Sequence, residues 1–147
     1  MKVRLSKEHL QAIEAHGEAA YPNEGAGFML GRNEGESVQV EAVLPLENRR
    51  EPEARYNRYE LSPQDFVRAE IQAAQQGLDL VGVFHSHPDH PARPSEFDRE
   101  HALPNFSYLI TSVVGQGEPG SGSAQVTRAW RLRDDRSAFD EDTLETT

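Results

Sequence analysis

The apolar positions of the chain fall into segments with two different periods. Leu10 and Ile13 share one face of a segment that Ser6 can cap, which predicts a first helix fraying near Gly17. Pro22 blocks a simple continuation. Gly25 to Gly31 reads as a short buried strand flanked by glycines. Val38, Val40, Ala42 and Leu44 then alternate with Gln39, Glu41 and Val43, the period of a half-buried strand that ends at Pro45. The polar run from Leu46 to Arg58 reads as a loop, with Arg49 and Arg50 as a small solvated basic spot.

The second half opens on a helix start, Ser62-Pro63-Gln64-Asp65: a cap, a proline at the first helical position and an acid three residues after the cap. Val67, Ile71 and Ala74 recur at helical spacing, and Gly77 supplies the stop. Leu80 to Phe84 is a short apolar run that predicts a central strand leading into His85. Pro94-Ser95-Glu96-Phe97-Asp98 predicts another capped helix, to about Leu103. Phe106 to Val114 and Gln125 to Leu132 read as strands on either side of a loose loop, Gly115 to Gly122. Trp130 alternates with Leu132 and, like Phe66, reads as packing. The order α-β-β-α-β-α-β-β predicts an α/β fold with a mixed sheet flanked by helices.

A length of 147 residues fits one domain with an ordinary core. The expected division is a domain over residues 1–133 and a flexible acidic tail over 134–147, where Asp134, Asp135, Asp140, Glu141, Asp142 and Glu145 gather. The net charge of −10 argues against nucleic acid or an anionic membrane as partner. No apolar stretch reaches the length of a membrane span, and the first residues lack the apolar core of a secretory signal. There is no cysteine, so disulfides are excluded and any metal must be held by nitrogen and oxygen. These features together suggest the cytoplasm.

The chemistry gathers in the run from His85 to Asp98. Residues i and i+2 of a strand face the same way, so His85 and His87 can converge on one ion. Asp98 is expected on the first turn of the following helix, and a loop with Pro88, Pro91 and Pro94 can fold it back toward the imidazoles. Two histidines and one carboxylate leave a coordination position for water, an arrangement suited to catalytic zinc, which lowers the pKa of bound water to about 7. The same donors can hold Fe(II) for oxygen chemistry. A base is needed to take and return a proton, and Glu24, at the mouth of an apolar strand, is the candidate. Ser95 can stabilise an oxyanion, or serve only as a helix cap. His90 reads as a solvent-facing loop residue, and His101 as at most a neighbour of the site.

The string His85-Ser86-His87-Pro88 followed by Ser95 and Asp98 matches the pattern H-[ST]-H-P…S-x-x-D of the JAMM/MPN+ (Mov34/MPN/PAD-1) metallopeptidases, and Tyr21 to Gly27 resembles their glutamate-bearing segment. The likeness runs from Leu5 to about Leu132 and implies the MPN, cytidine-deaminase-like fold. It implies zinc on His85, His87 and Asp98, Glu24 as general acid/base, and Ser95 assisting the tetrahedral intermediate. Many relatives carry a cysteine where this chain has Ala26, a position outside that catalytic set. Short connections resemble the compact stand-alone prokaryotic members. That resemblance implies cleavage of a peptide or isopeptide bond at the C-terminal Gly-Gly of a ubiquitin-like protein of the β-grasp sulfur-carrier kind. Some members of the wider fold lack the ligands and act as scaffolds; here every ligand of the pattern is present.

Overall fold

The computed structural model describes residues 1–47 and 59–147. The elements are β1 (Lys2–Leu5), α1 (Lys7–Ala20), β2 (Ala26–Glu34), β3 (Ser37–Leu46), α2 (Pro63–Gln75), β4 (Asp79–Pro88), α3 (Glu96–His101), β5 (Ser107–Val114), β6 (Ser123–Leu132) and β7 (Phe139–Thr146). The α/β class and mixed sheet agree with the sequence. The strands run in the order β1-β3-β2-β4-β5-β6-β7, and β1 pairs with both β3 and β7, so the sheet closes on itself. Arg49 and Arg50, and most of the expected loop before α2, lie outside the described residues.

Adjacent strand residues serve opposite faces. Met29, Phe84 and Leu109 join Val3, Leu5 and Ile13 in one apolar cluster, while their neighbours Phe28, Val83 and Tyr108 join Ala69, Ala102 and Leu132 in another. The first is the core beneath α1; the second lies beneath α2 and α3. A register shift between Leu30 and Gly31 divides β3 between them. Val38 and Val40 serve the first cluster together with Val43, but Leu44 packs on the second. The single alternating face expected of β3 is therefore broken by a bulge, because one extra residue exchanges the two faces.

Two helical expectations change. Helix α1 does not fray at Gly17 but continues to Ala20, and Gly17 is buried. A Cβ there would lie 3.0 Å from the Cβ of Ser86 and 3.2 Å from Val113, so glycine lets the helix approach the end of β4. On α2 the buried positions are Asp65, Ala69 and Ala73, whereas Val67 and Ile71 are about half exposed at 55% and 53%. The small alanines allow close packing on the sheet, and the apolar spacing read from the sequence marks the outer face.

The acidic tail is the largest correction. Residues 139–146 form β7, antiparallel to β6 and parallel to β1, rather than a flexible end. Its acids sit opposite bases. Arg133 meets Asp140 at 2.9 Å, Arg128 meets Glu141 at 3.2 Å, Arg131 meets buried Asp142 at 3.3 Å, and Arg4 meets Glu145 at 3.2 Å. The three exposed pairs, those of Arg133, Arg128 and Arg4, stabilise little. Sheet pairing on both edges and the inward packing of Phe139 and Leu144 contribute more. The short strand β1, likewise unforeseen, supplies the other half of this closure.

Candidate metal centre

Strand β4 is longer than its apolar run and carries the chain through His85-Ser86-His87-Pro88 as regular strand. Parallel pairing with β5 aligns His85 with Ile110 and His87 with Ser112. His85 and His87 therefore point the same way, with ring centroids 5.0 Å apart. The chain then returns to α3 through a capping box. Asp98 N–H donates to Ser95 Oγ at 3.1 Å, and Ser95 N–H donates to Asp98 Oδ2 at 2.8 Å. The cap that starts α3 thus turns the Asp98 carboxylate toward the histidines. His85 Nε2 lies 3.6 Å from Asp98 Oδ1, and His87 Nε2 lies 3.1 Å from Asp98 Oδ2.

Glu24 arrives from the opposite side. It precedes β2 and is buried, with Oε1 3.9 Å from His85 Nδ1. Glu24, His85 and His87 each present a donor atom within 4.8 Å of the others, a grouping that suits a metal ion. The burial of Glu24 sets it apart from a solvated surface acid. Ser95 has the cap role that its sequence context predicts, and its hydroxyl also lines the cleft that holds Glu24 and His87. That cleft encloses about 450 Å³.

The electrostatics favour a cation. Burial pushes the His85 imidazole down to about 4, so at neutral pH it is uncharged, the form that binds metals. Burial opposes ionisation of Asp98, but His85, the His87 hydrogen bond and the Ser95 amide outweigh it and hold the carboxyl well below the usual carboxylate range. His87 Nδ1 lies 2.9 Å from the carbonyl of Pro91. A carbonyl only accepts, so Nδ1 carries the proton and Nε2 carries the lone pair. With a second proton on Nε2 this contact is the hydrogen bond that favours the Asp98 carboxylate; in the neutral ring the lone pair faces that carboxylate, and a metal ion between them makes the contact attractive. Ligands about 2.0–2.1 Å from a tetrahedral ion are about 3.3 Å from one another. The two histidine–Asp98 separations, each to a different oxygen of the carboxylate, bracket that figure and are compatible with a small divalent ion.

Two contributors escaped the sequence reading. The Tyr59 ring stacks on His85 with centroids 4.4 Å apart and planes 25° apart. Burial, then Asp98, Tyr108 and Glu24, push its hydroxyl well above 10, so it stays neutral. Its only sequence signal is an aromatic residue shortly before the Ser62 cap. Ser86 Oγ accepts a hydrogen bond from Gly25 N–H at 2.8 Å, which fixes the segment bearing Glu24. The remaining marked residues are peripheral. His90 is exposed and lines the cleft. His101 is exposed and stacks on Phe97. Trp130 donates to the Ala92 carbonyl at 3.0 Å, and Phe66 packs edge-on against Phe28.

Residues 6–133 match the family described as prokaryotic homologs of the JAB domain. The chain belongs to that family. It is similar to a probable TtuB-protein conjugate cleaving protease of Thermus thermophilus, 33% identical over 106 residues, covering 72% of this chain and 67% of that one. It is also similar to a desampylase of Haloferax volcanii, 36% identical over 97 residues, covering 65% and 66%. The matched region is thus about two thirds of each relative's length. Among solved structures, a Desulfitobacterium hafniense protein superposes with a TM-score of 0.80 at 31% identity, covering 99% of this chain and 92% of that one. A JAB1/MPN domain protein of Archaeoglobus fulgidus superposes with a TM-score of 0.52 at 19% identity over 100% and 99%, which shows the shared fold. No described helix of this JAB-family chain is long and apolar enough to cross a membrane.

Proposed function

We propose that this protein is a zinc-dependent hydrolase that cleaves a peptide or isopeptide bond at the C-terminal Gly-Gly of a ubiquitin-like, β-grasp sulfur-carrier protein. His85, His87 and Asp98 would hold the ion. The observation that carries the reading is the His87 Nε2 lone pair, turned at 3.1 Å toward the Asp98 carboxylate by the bond from Nδ1 to Pro91. Bound zinc supplies a Lewis acid and a water acidic enough to attack near neutral pH.

The chain's own residues do the rest. Glu24 accepts the proton of the attacking water and returns it to the departing nitrogen. Its burial next to uncharged His85 keeps bulk water from competing for that proton. The Ser95 oxygen already accepts from Asp98 N–H, and its own hydroxyl hydrogen is available to the carbonyl oxygen as charge builds there. Tyr59 covers one face of His85 and limits its rotation. The names of the Thermus and Haloferax relatives support a protein-conjugate substrate.

The test is cleavage of a carrier–peptide fusion, joined after Gly-Gly, by zinc-loaded protein. Cleavage should stop with chelator and return with zinc. Absence of cleavage by the zinc-loaded protein, or purified protein holding iron with oxygen-dependent turnover, would overturn the proposal.

A further inference from the structure

The loop between His87 and Ser95 is pinned to its surroundings. His87 Nδ1 donates to Pro91 O at 2.9 Å, Ser112 Oγ donates to His90 O at 2.7 Å, and Trp130 Nε1 donates to Ala92 O at 3.0 Å. Pro91 and Pro94 stiffen it further. This loop presents Pro88, His90, Pro91 and Arg93 to the cleft, beside Glu24, His87 and Ser95, and Arg93 is its permanently charged member.

Arg93 differs from most other arginines of this acidic chain. Arg4, Arg32, Arg99, Arg128, Arg131 and Arg133 each lie against a carboxylate. Arg136 donates to the carbonyls of Ala102, Arg99 and Glu100. Among the described residues, Arg93 and Arg68 have no such partner, and Arg68, on α2, does not line the cleft. An uncompensated guanidinium on a pinned loop beside the reacting groups is set up to take an anion from outside, through two parallel hydrogen bonds.

The chemistry says which side of the substrate that anion belongs to. Glu24 must reach the departing nitrogen, so the amine leaves through a space that Glu24 lines. Among the described residues, Glu24 borders two spaces. One holds His87, Ser95 and Arg93. The other, about 340 Å³, is bordered by His16, Pro45 and Leu46 and carries the Glu47 carboxylate, with no Lys or Arg among its described lining residues. Among the described residues, the first space offers an anionic leaving group a cation, Arg93, and the second offers it the Glu47 carboxylate.

We propose that Arg93 determines specificity by binding a carboxylate on the amine side of the scissile bond. The inference rests on the hydrolase reading above. Water oxygen forms the new C–O bond, the C–N bond breaks, and the proton passes through Glu24 to the amine; Arg93 takes no part in these bond changes and acts on substrate affinity. The carboxylate is either the α-carboxylate of a single released amino acid or the side chain of an acid one residue further on.

Three carrier fusions distinguish these sources: one ending Gly-Gly-Ala with a free carboxylate, one ending Gly-Gly-Ala carboxamide, and one ending Gly-Gly-Ala-Asp carboxamide. The native protein should cleave a carboxylate-bearing fusion with a kcat/KM about tenfold above the plain carboxamide, expressed in KM. Preference for the first fusion identifies an α-carboxylate, and preference for the third a side chain. Arg93→Ala should bring the ratio near one, Arg93→Lys should keep part of it, and Arg93→Glu should reverse it. Equal handling of all three by the native protein, or an equal loss on all three in Arg93→Ala, overturns the proposal. If no fusion is cleaved, the hydrolase reading fails on its own. The arginine assignment is then decided by NMR titration of the fusions into Glu24→Gln protein. A lower Kd for a carboxylate form, lost on adding Arg93→Ala, supports it, and equal Kd values overturn it.

Discussion

Gly25 and Ser86 stand 61 residues apart and exchange two hydrogen bonds: Gly25 N–H donates to Ser86 Oγ at 2.8 Å, and Ser86 N–H donates to Gly25 O at 2.9 Å. Each sits next to a residue of the centre, Gly25 beside Glu24 and Ser86 between the two histidines. The pair is therefore the joint between the proposed proton-transfer group and the strand that carries the proposed ligands. Ser86→Ala leaves a buried N–H without its acceptor, at a cost of about 1–3 kcal/mol. We predict that denaturant unfolding shows this loss and that turnover falls while metal content is retained. Full turnover in a destabilised variant would show that the joint serves the fold alone.

Glu24 and His87 should fail in different ways. Glu24→Gln keeps the shape of the side chain but removes its basicity, so turnover should drop about 10²–10⁴-fold with the metal still bound. His87→Ala removes a donor atom, so the metal itself should be lost. Elemental analysis alongside turnover separates the two, and an active Glu24→Gln protein would remove Glu24 from the mechanism.

Ser95 caps α3, and in the proposed mechanism the same hydroxyl meets the substrate carbonyl. Ser95→Ala should cost about 1 kcal/mol through the lost cap and slow turnover about 10²-fold or more. Ser95→Asn, a side chain that also caps helices, should restore the melting temperature without restoring the rate. Recovery of both by asparagine would reduce Ser95 to a cap.

The metal-free protein should lose stability in mild acid. Burial lowers the folded-state pKa of His85 to about 4, against about 6.5 when unfolded. Between those values the unfolded chain binds a proton that the folded chain refuses, so stability falls as pH drops from about 6.5 to about 4 and levels off below. The effect is at most about 3–4 kcal/mol. Urea titrations with chelator across this range measure it. An equal pH dependence in His85→Gln would assign the effect elsewhere.

Removing residues 134–147 should be disruptive. It deletes β7 and exposes paired edges of both β1 and β6. A truncated protein is expected to lose cooperative thermal unfolding or to aggregate. An unchanged melting temperature would show that β7 is dispensable.

The sequence by itself determined the class of fold and most of the helix and strand order, and it nominated the residues of the candidate centre. Helix caps such as Ser62 and Ser95, short strand runs and the His85–Asp98 spacing are local signals, read from neighbours along the chain. The tertiary structure decided what depends on distant partners. The tail looked like a solvated acidic end because its charges were counted without Arg4, Arg128, Arg131 and Arg133, which only the closed sheet brings opposite them. Val67 and Ile71 looked like a buried face because periodicity states which residues share a side and not which side meets the sheet. Tyr59 on His85, and Gly25 against Ser86, are contacts between segments with no shared pattern in sequence. Spacing could nominate Glu24, but its burial beside His85 follows from the pairing of Ala26 with His85 across β2 and β4, a register set by the packing of both faces.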